Sequence, residues 1–342
     1  MKRLVLLAAL LLLAGCGKVT EVREGDVFVN GEEATDTREA PNQQARGVRI
    51  PNARIVFITH GQASDPFWTI VKRGLGDAQR QSGTAVSYRA PDRFSIERMR
   101  RYIEEAIVDK PDGLVVSIPD FDALAPTIRR AVEEGIPVVT INSGSDKFKS
   151  LGVLAHIGQP EFKAGVESGE RMGRAGVRRA LCVNQESGNS GLDERCRGFA
   201  AGLRRFGGRS RQLPIPLQDP VRAQTEMATA VMDGPVDGIL TLGPGGAKPA
   251  LDAVRASGLE SRVKLATFDL SPDVLNAVRD GDMLFAVDQQ PYLQGFLPVM
   301  LLAERARYQV FPGRGELIPT GPQFVTSENA ADVIRLSAEG VR

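Results

Sequence analysis

From Ala53 onward, short β-branched apolar runs alternate with helix-length amphipathic segments. The first set of runs lies at 54–59, 85–88, 113–117 and 136–141. A second set follows 154–158 and lies at 179–183, 212–215, 238–242, 263–268 and 283–287. Short apolar runs separated by helical segments indicate parallel strands buried on both faces, with crossover helices between them. The chain is therefore predicted to be an α/β protein built on parallel sheets.

The length of this pattern favours two lobes. The alternating region covers residues 53–342, which is more than one hydrophobic core usually supports. Two doubly wound lobes of similar size account for the two sets of strands. In open parallel sheets, ligands bind outside the carboxyl ends of the strands. If the two lobes face each other, these ends point into a common cleft, and the residues just after each strand become the candidate site.

The amino-terminal residues have the features of an export signal. Lys2 and Arg3 precede an apolar run from Leu4 to Leu13, which is far shorter than the ~20 residues that a membrane-spanning helix needs. The segment Leu13-Ala14-Gly15-Cys16 resembles the lipobox of bacterial lipoproteins, which implies lipidation of Cys16. The alternative is an ordinary signal peptide followed by a chance cysteine. We expect residues 1–16 to be a leader and 17–52 a polar tether, with a small hairpin at Asn30-Gly31. The protein would then be held by its lipid at the periplasmic or extracellular face of the cell membrane.

Charge and cysteine content exclude several kinds of partner. The 43 basic and 42 acidic residues give a net charge of +1, so no field of one sign favours nucleic acid or anionic lipid. Only His60 and His156 offer imidazole ligands and no zinc spacing occurs, so neither a metal site nor a cofactor is expected. Cys182 and Cys196 remain either as a disulfide, which an oxidising compartment permits, or as two buried thiols.

The first strand is followed by Asp65-Pro66-Phe67-Trp68. A carboxylate accepts hydroxyl protons and an aromatic ring covers the apolar C–H face of a sugar, so this turn suits a sugar ligand. The alternative is structural, with Asp65 as a helix N-cap and Phe67 as a core residue. The presence of Trp68, the only tryptophan, favours the ligand-binding interpretation.

Four motifs in order carry a family resemblance. The Asp65 turn resembles the Asn-Pro-Phe-Phe motif of ribose-binding-type periplasmic binding proteins. The others are similar to that family's Arg-x-x-Gly-Phe, Phe-Asp and Gln-x-Pro motifs, and they stand at 195–199, 268–269 and 289–291. The resemblance implies the type I fold, in which two doubly wound parallel-sheet lobes are joined by a three-segment hinge. The implied lobes are residues 53–156 plus 288–318 and residues 157–287 plus 319–342.

The same resemblance implies the ligand contacts. Phe67 and Trp68 would sandwich a sugar ring while Asp65 bonds its hydroxyls. From the second lobe, Arg195 would donate to the ligand and Asp269 would accept from it, with Gln289 at the hinge side. The alternative for Arg195 and Asp269 is an ion pair across the cleft.

Two segments depart from the family pattern. An Asp-Arg pair is replaced by Asn142-Ser143, both of which donate and accept, so we retain them as ligand contacts. A polar Asn-Asp is replaced by 243–246, a glycine-rich loop that offers backbone groups only. Such a loop before a helix suits a phosphate, although Pro244 removes one donor and no P-loop Lys-Ser/Thr pair follows. Gln185, Glu186 and Asn189 also follow a strand, either at the site or in a solvated loop.

The function implied is that of a monomeric solute-binding protein that captures a small neutral sugar, cyclitol or nucleoside by hinge closure. It would deliver this ligand to the permease of an ABC importer. A signalling or chemotaxis receptor is an alternative, because both kinds of partner would read the same closed surface. A sugar-modifying enzyme is a further alternative, but it would need a general acid and base, or a metal, at a defined separation, whereas Asp65 and Asp269 are expected on opposite lobes and His60 is expected to be neutral. Sugar-responsive repressors carry a helix-turn-helix before the same core, whereas an export signal and a polar tether are expected here.

Overall fold

The computed structural model describes residues 28–29, 32–33, 53–61, 65–216, 219–313, 315–337 and 340. The predicted leader, the lipidation site Cys16 and most of the predicted tether lie outside the described residues. Within the tether, strand β1 (Phe28–Val29) pairs antiparallel with strand β2 (Glu32–Glu33). Two residues separate these strands, as in the hairpin that the sequence predicts.

The remaining elements alternate as expected. The strands are β3 (Arg54–Ile58), β4 (Ala85–Arg89), β5 (Gly113–Ser117), β6 (Val138–Ile141), β7 (Ala155–Gly158), β8 (Arg179–Asn184), β9 (Arg209–Pro214), β10 (Gly238–Thr241), β11 (Lys264–Phe268), β12 (Phe285–Asp288), β13 (Glu316–Pro319) and β14 (Gln323–Val325). The α-helices are α1 (Pro66–Ser82), α2 (Ile96–Asp109), α3 (Phe121–Glu133), α4 (Glu161–Arg174), α5 (Ser190–Arg204), α6 (Pro220–Met232), α7 (Pro244–Ala256), α8 (Pro272–Arg279), α9 (Pro291–Tyr308) and α10 (Ala330–Ser337). A 3₁₀ helix covers Phe148–Leu151.

The main strands form two sheets of six strands each. The first has the order β13-β7-β6-β5-β3-β4, and all its pairs are parallel. The second has the order β14-β12-β11-β10-β8-β9, and only the edge strand β14 runs antiparallel to its neighbour. Each sheet with its helices is one lobe. The prediction of two parallel-sheet α/β lobes is confirmed.

The central strands are buried on both faces, which explains their near-continuous apolar sequence. In β3, Ile55 and Phe57 pack with α1 and α9 on one face, while Val56 and Ile58 pack with α2 and α3 on the other. The second lobe repeats this arrangement with two clusters around β8, β10 and β11. The strand alternation therefore fixes which helix lies on which face.

The chain crosses between the lobes three times, after β7, after β12 and after β13. The lobe boundaries differ slightly from those predicted. Strand β7 keeps residues up to Gly158 in the first sheet, Asp288 belongs to the second sheet, and Pro319 ends a strand of the first sheet. The predicted cut points at 156, 288 and 318 therefore lie one or two residues inside the strands.

Helix α5 is held to β8 by a covalent bond. Cys182 and Cys196 form a disulfide, with their Cα atoms 5.7 Å apart, which is one of the two states that the sequence leaves open. The cysteines share an apolar cluster with Phe199 and Leu240. The helix that carries Arg195 is thus fixed to the strand that precedes it.

Candidate functional site

A cavity with an empty volume of about 290 Å³ lies between the two lobes. It is lined by His60, Asp65, Phe67, Trp68 and Asn142 from the first lobe, by Gln185, Glu186, Leu192, Arg195, Leu242 and Asp269 from the second, and by Gln289 from a crossover. Seven of the eight ligand contacts predicted from the sequence are in this set; Ser143 is the exception.

Helix α1 delivers the aromatic wall. Asp65 is its N-cap: the Phe67 amide donates to Asp65 Oδ1 at 2.9 Å, and Pro66 occupies the first helical position. The Phe67 and Trp68 rings meet edge to face at 4.9 Å between centroids, and both residues are almost fully buried. The two interpretations of this turn are therefore compatible, since the cap and the apolar packing aim the same side chains at the cavity.

Gly61 makes room for the tryptophan. A Cβ added at Gly61 would overlap the indole of Trp68. On its other side the indole meets His60 edge to face, with ring centroids 5.0 Å apart. The position of Trp68 thus depends on the absence of a side chain at residue 61.

Arg195 is paired within its own lobe. Its Nε donates to Glu161 Oε2 at 2.6 Å and its Nη2 to Glu161 Oε1 at 3.0 Å. Its guanidinium also lies over the Phe268 ring, 4.6 Å from the centroid. The alternative of an ion pair between Arg195 and Asp269 across the cleft is wrong, because both residues belong to the second lobe and Glu161 supplies the partner. No sequence motif indicated Glu161.

Asp269 and Asn142 follow strands of the two lobes in the same unusual conformation. Both have a positive φ, 64° for Asp269 and 58° for Asn142, in the left-handed region that Asp and Asn tolerate better than most residues. Gln289 joins them: its Nε2 donates to Asp269 Oδ1 at 2.7 Å, and its Oε1 accepts from Asn142 Nδ2 at 3.2 Å. Gln294 Nε2 donates to the same Gln289 oxygen at 3.1 Å.

Ser143 binds the opposite lobe. It is not among the cavity-lining residues, and its hydroxyl donates to Asn189 Oδ1 at 2.9 Å. Asn189 Nδ2 contacts His60 Nε2 at 3.2 Å, and the Ser190 amide donates to the Pro119 carbonyl at 2.8 Å. Ser143 thus joins the two lobes in this structure, which is a closed form, and its contact with a ligand stays a prediction.

Two residues that the sequence left between site and loop line the cavity. Gln185 Oε1 is buried and has no hydrogen-bond partner in the described part of the chain. Glu186 accepts from Asn189 Nδ2 at 2.8 Å. Gly243 lies close to this group, since a Cβ there would be 2.8 Å from Gln185 Nε2. The loop 243–246 makes space beside the cavity but is not part of its lining.

Burial shifts the ionisation of the lining residues. It raises the pKa of Asp269 to about 7 against the lowering effect of Arg195, and it raises the pKa of Glu186 to about 7. Burial also raises the pKa of Asp65. It lowers the pKa of His60 to about 3, with Arg195 contributing. His60 is therefore neutral at physiological pH, and desolvation disfavours the charged forms of the three carboxyl groups.

In the regions with assigned structure, no helix combines the length and apolar character needed to cross a membrane. Over the same residues, no group of three or more His, Cys, Asp and Glu side chains is arranged to hold a metal ion.

Comparison with known proteins identifies related chains. Residues 55–309 match the model of the periplasmic binding protein domain family. A crystal structure of a carbohydrate transporter from Acidothermus cellulolyticus 11B, in complex with myo-inositol, is 35% identical. It covers 85% of this chain and 100% of its own, with a TM-score of 0.79. A D-ribose/D-allose-binding protein of Pseudomonas aeruginosa is 27% identical over 69% of this chain and 76% of its own. A xylose/arabinose-binding protein of Sulfolobus acidocaldarius is 24% identical over 82% and 72%.

Proposed function

This chain belongs to the periplasmic binding protein family, and from that premise we propose that its cavity captures a small neutral sugar or polyol for delivery to an ABC importer. The two lobes have the type I fold of that family, and the chain is an extracytoplasmic solute-binding protein. We further propose that the protein acts as a monomer, that it does not change its ligand, and that its partner is the permease of the importer.

The observation that carries the proposal is the hydrogen-bond balance of the cavity. Six of the nine N–H donors of Arg195, Gln289 and Asn142 are already used within the protein, three by Arg195, two by Asn142 and one by Gln289. In contrast, Asp65, Glu186 and Asp269 present acceptor oxygens, and Gln185 Oε1 has no partner among the described residues. A ligand that fills this cavity must bring donors, and a ring with a hydroxyl on nearly every carbon does so.

The aromatic wall supplies the second half of the recognition. A sugar or cyclitol ring has apolar C–H faces between its hydroxyls, and Phe67 and Trp68 offer rings to cover one of them. A pyranose contains a ring oxygen that only accepts hydrogen bonds, whereas a cyclitol does not. The myo-inositol bound by the Acidothermus relative makes a cyclitol one of the candidate ligands.

Closure by the two lobes provides the mechanism. A ligand on the aromatic wall of the first lobe would be completed by Arg195 and Asp269 of the second, so the closed form gains contacts that the open form lacks. The lipid on Cys16 would keep the protein beside its permease. In this proposal the solute is held and then released unchanged.

Thermal unfolding of the protein without residues 1–16 tests the proposal against a panel of neutral cyclitols, pentoses, hexoses and nucleosides. A true ligand at ~100 times its dissociation constant should add about 2.7 kcal/mol to the free energy of unfolding. Isothermal titration calorimetry would then give the affinity, and chromatography of the recovered ligand would show that it is unchanged. Stabilisation by none of these ring polyols, or conversion of one of them, contradicts the proposal.

A further inference from the structure

The charges in the cavity do not balance. Asp65, Glu186 and Asp269 contribute three carboxyl groups to the lining, and Arg195 is the only lysine or arginine among the described residues that line it. Glu161 already neutralises Arg195 through two hydrogen bonds of 2.6 and 3.0 Å. His60 is neutral at physiological pH because burial lowers its pKa to about 3. The lining therefore has three acidic groups and no free cation.

Each of these carboxyl groups has one oxygen fixed by the protein. Asp65 Oδ1 accepts from the Phe67 amide at 2.9 Å, Glu186 Oε2 from Asn189 at 2.8 Å, and Asp269 Oδ1 from Gln289 at 2.7 Å. The other oxygens accept no hydrogen bond from any described residue. Glu186 and Asp269 are each only 8% exposed, so water compensates them poorly.

We propose that the preferred ligand is a ring polyol in which one hydroxyl is replaced by a protonated primary amine, namely an aminocyclitol or an amino sugar. An ammonium group donates three hydrogen bonds and accepts none, and it cancels part of the buried negative charge. A hydroxyl donates one hydrogen bond and leaves the charge in place. This inference rests on the proposed function for the cavity and the polyol ring, and it replaces the neutral ligand proposed there by a cationic one.

The ionisation of the empty cavity agrees with this preference. Burial, with a smaller contribution from the charge of Asp65, raises the pKa of both Glu186 and Asp269 to about 7. Without a cation nearby, burial favours the protonated, neutral forms of these two carboxyl groups. An ammonium ligand favours their ionised forms and so turns an unfavourable burial into a contact.

Calorimetry on the purified mature protein at pH 7 tests the inference with matched pairs of ligands. The pairs are 1-amino-1-deoxy-scyllo-inositol with scyllo-inositol, D-glucosamine with D-glucose, and D-galactosamine with D-galactose. At least one amine should bind roughly tenfold or more tightly than its hydroxyl partner, as expected for a close charge pair in a buried site. Tight binding of the neutral members with equal or weaker binding of every amine overturns the inference and leaves the proposed function standing. Binding of no member of any pair overturns both.

Substitution of Glu186 by glutamine assigns the effect to the cavity. Glu186→Gln should reduce the amine-to-hydroxyl affinity ratio about tenfold. Glu194→Gln is the matched control, because Glu194 is a buried carboxylate of the same lobe that pairs with Arg197 outside the lining. Its ratio should equal that of the unsubstituted protein. Asp269→Asn gives a second reading if Glu186→Gln fails to give a cooperative thermal transition. An unchanged ratio in folded Glu186→Gln or Asp269→Asn protein contradicts the inference.

Discussion

Glu161 and Arg195 form a two-point ion pair beneath the cavity, and their side chains are only 1% and 3% exposed. The glutamate comes from the first turn of α4 and the arginine from α5. Two parallel hydrogen bonds hold the guanidinium in one plane. A ligand therefore meets a group whose orientation is already set.

The first prediction concerns this pair. Glu161→Ala should lower the free energy of unfolding by about 3–5 kcal/mol, because it leaves a buried guanidinium without its counter-charge. Urea denaturation followed by circular dichroism measures the effect. The control is Glu167→Ala on the same helix, which loses only a partly exposed contact with Lys163 and should change stability by about 0.5 kcal/mol or less. A loss below about 1 kcal/mol for Glu161→Ala would show that Glu161 does not offset the desolvation of the buried Arg195 guanidinium.

A second prediction tests the contact between the lobes at Asn189. Asn189→Asp keeps an N-cap for α5 and an acceptor for Ser143, but it cannot donate to His60 and it places a charge beside Glu186. The closed form should become less populated, so affinity for the ligand should fall about tenfold. Small-angle X-ray scattering at subsaturating ligand should show a larger radius of gyration. Ser187→Ala, an exposed change in the same loop, should leave both measurements unaltered, and an unaffected Asn189→Asp protein would refute the role.

The third prediction is that the ionisation of Asp269 makes the free energy of unfolding depend on pH. Because burial raises its pKa from 3.8 to about 7, the folded protein holds a proton there that the unfolded chain has released above about pH 4. The folded state binds more protons over this window, so the contribution of Asp269 to the free energy of unfolding falls as the pH rises from 4 to 7. Asp269→Asn removes this titration.

The difference in free energy of unfolding, variant minus unsubstituted protein, should therefore increase between pH 5 and pH 8 by roughly 1 kcal/mol or more. Urea titrations of the ligand-free proteins at each pH measure it. His60 and Glu186 titrate in both proteins, so their effects largely cancel in the difference. A difference that stays flat across this range would mean that Asp269 is ionised throughout.

The fourth prediction uses the single tryptophan as its own probe. Gly61→Ala should displace the Trp68 indole, which shifts its fluorescence maximum and weakens ligand binding at least about tenfold. Gly76→Ala is the matched control within α1, because a Cβ there meets only the end of the Arg80 side chain at 3.6 Å. That change should leave the fluorescence as it is and stabilise the helix by about 0.5–1 kcal/mol. Equal spectra for the two variants would exclude the steric role of Gly61.

The sequence predicts the fold well where strands are buried on both faces, because their residues are then almost all apolar. The central strands are apolar throughout, so their positions and parallel pairing follow from the alternation. Strand β9 is an exception: it begins at Arg209, three residues before the predicted start at 212. It lies at the edge of its sheet and most of its residues are exposed or half-buried. An edge strand gains less from apolar side chains, and its sequence therefore carries a weaker signal.

The sequence predicts those site residues that lie just after the carboxyl end of a strand. Asp65, Asn142 and Asp269 come directly after strands or their short turns, and the structure brings all three to one cavity. Glu161 escaped prediction because its role depends on a partner 34 residues away, and neither residue indicates the other locally. Ser143 is predicted as a ligand contact because its hydroxyl both donates and accepts, and only the closed arrangement shows that it also bonds Asn189 of the other lobe.

The three crossovers also bear on how long a captured solute stays. They leave from β7, β12 and β13, which lie at or next to one edge of each sheet, whereas the contacts of Asn189 lie beyond β3 and β8, toward the other edge. If the lobes open about an axis along the three crossovers, the cleft opens on the side of the Asn189 contacts, and a solute would leave there. The residence time of the solute would then be limited by the rate at which the lobes open. Substitutions at the crossovers, far from the cavity, could therefore change the rate of release without changing any contact with the solute.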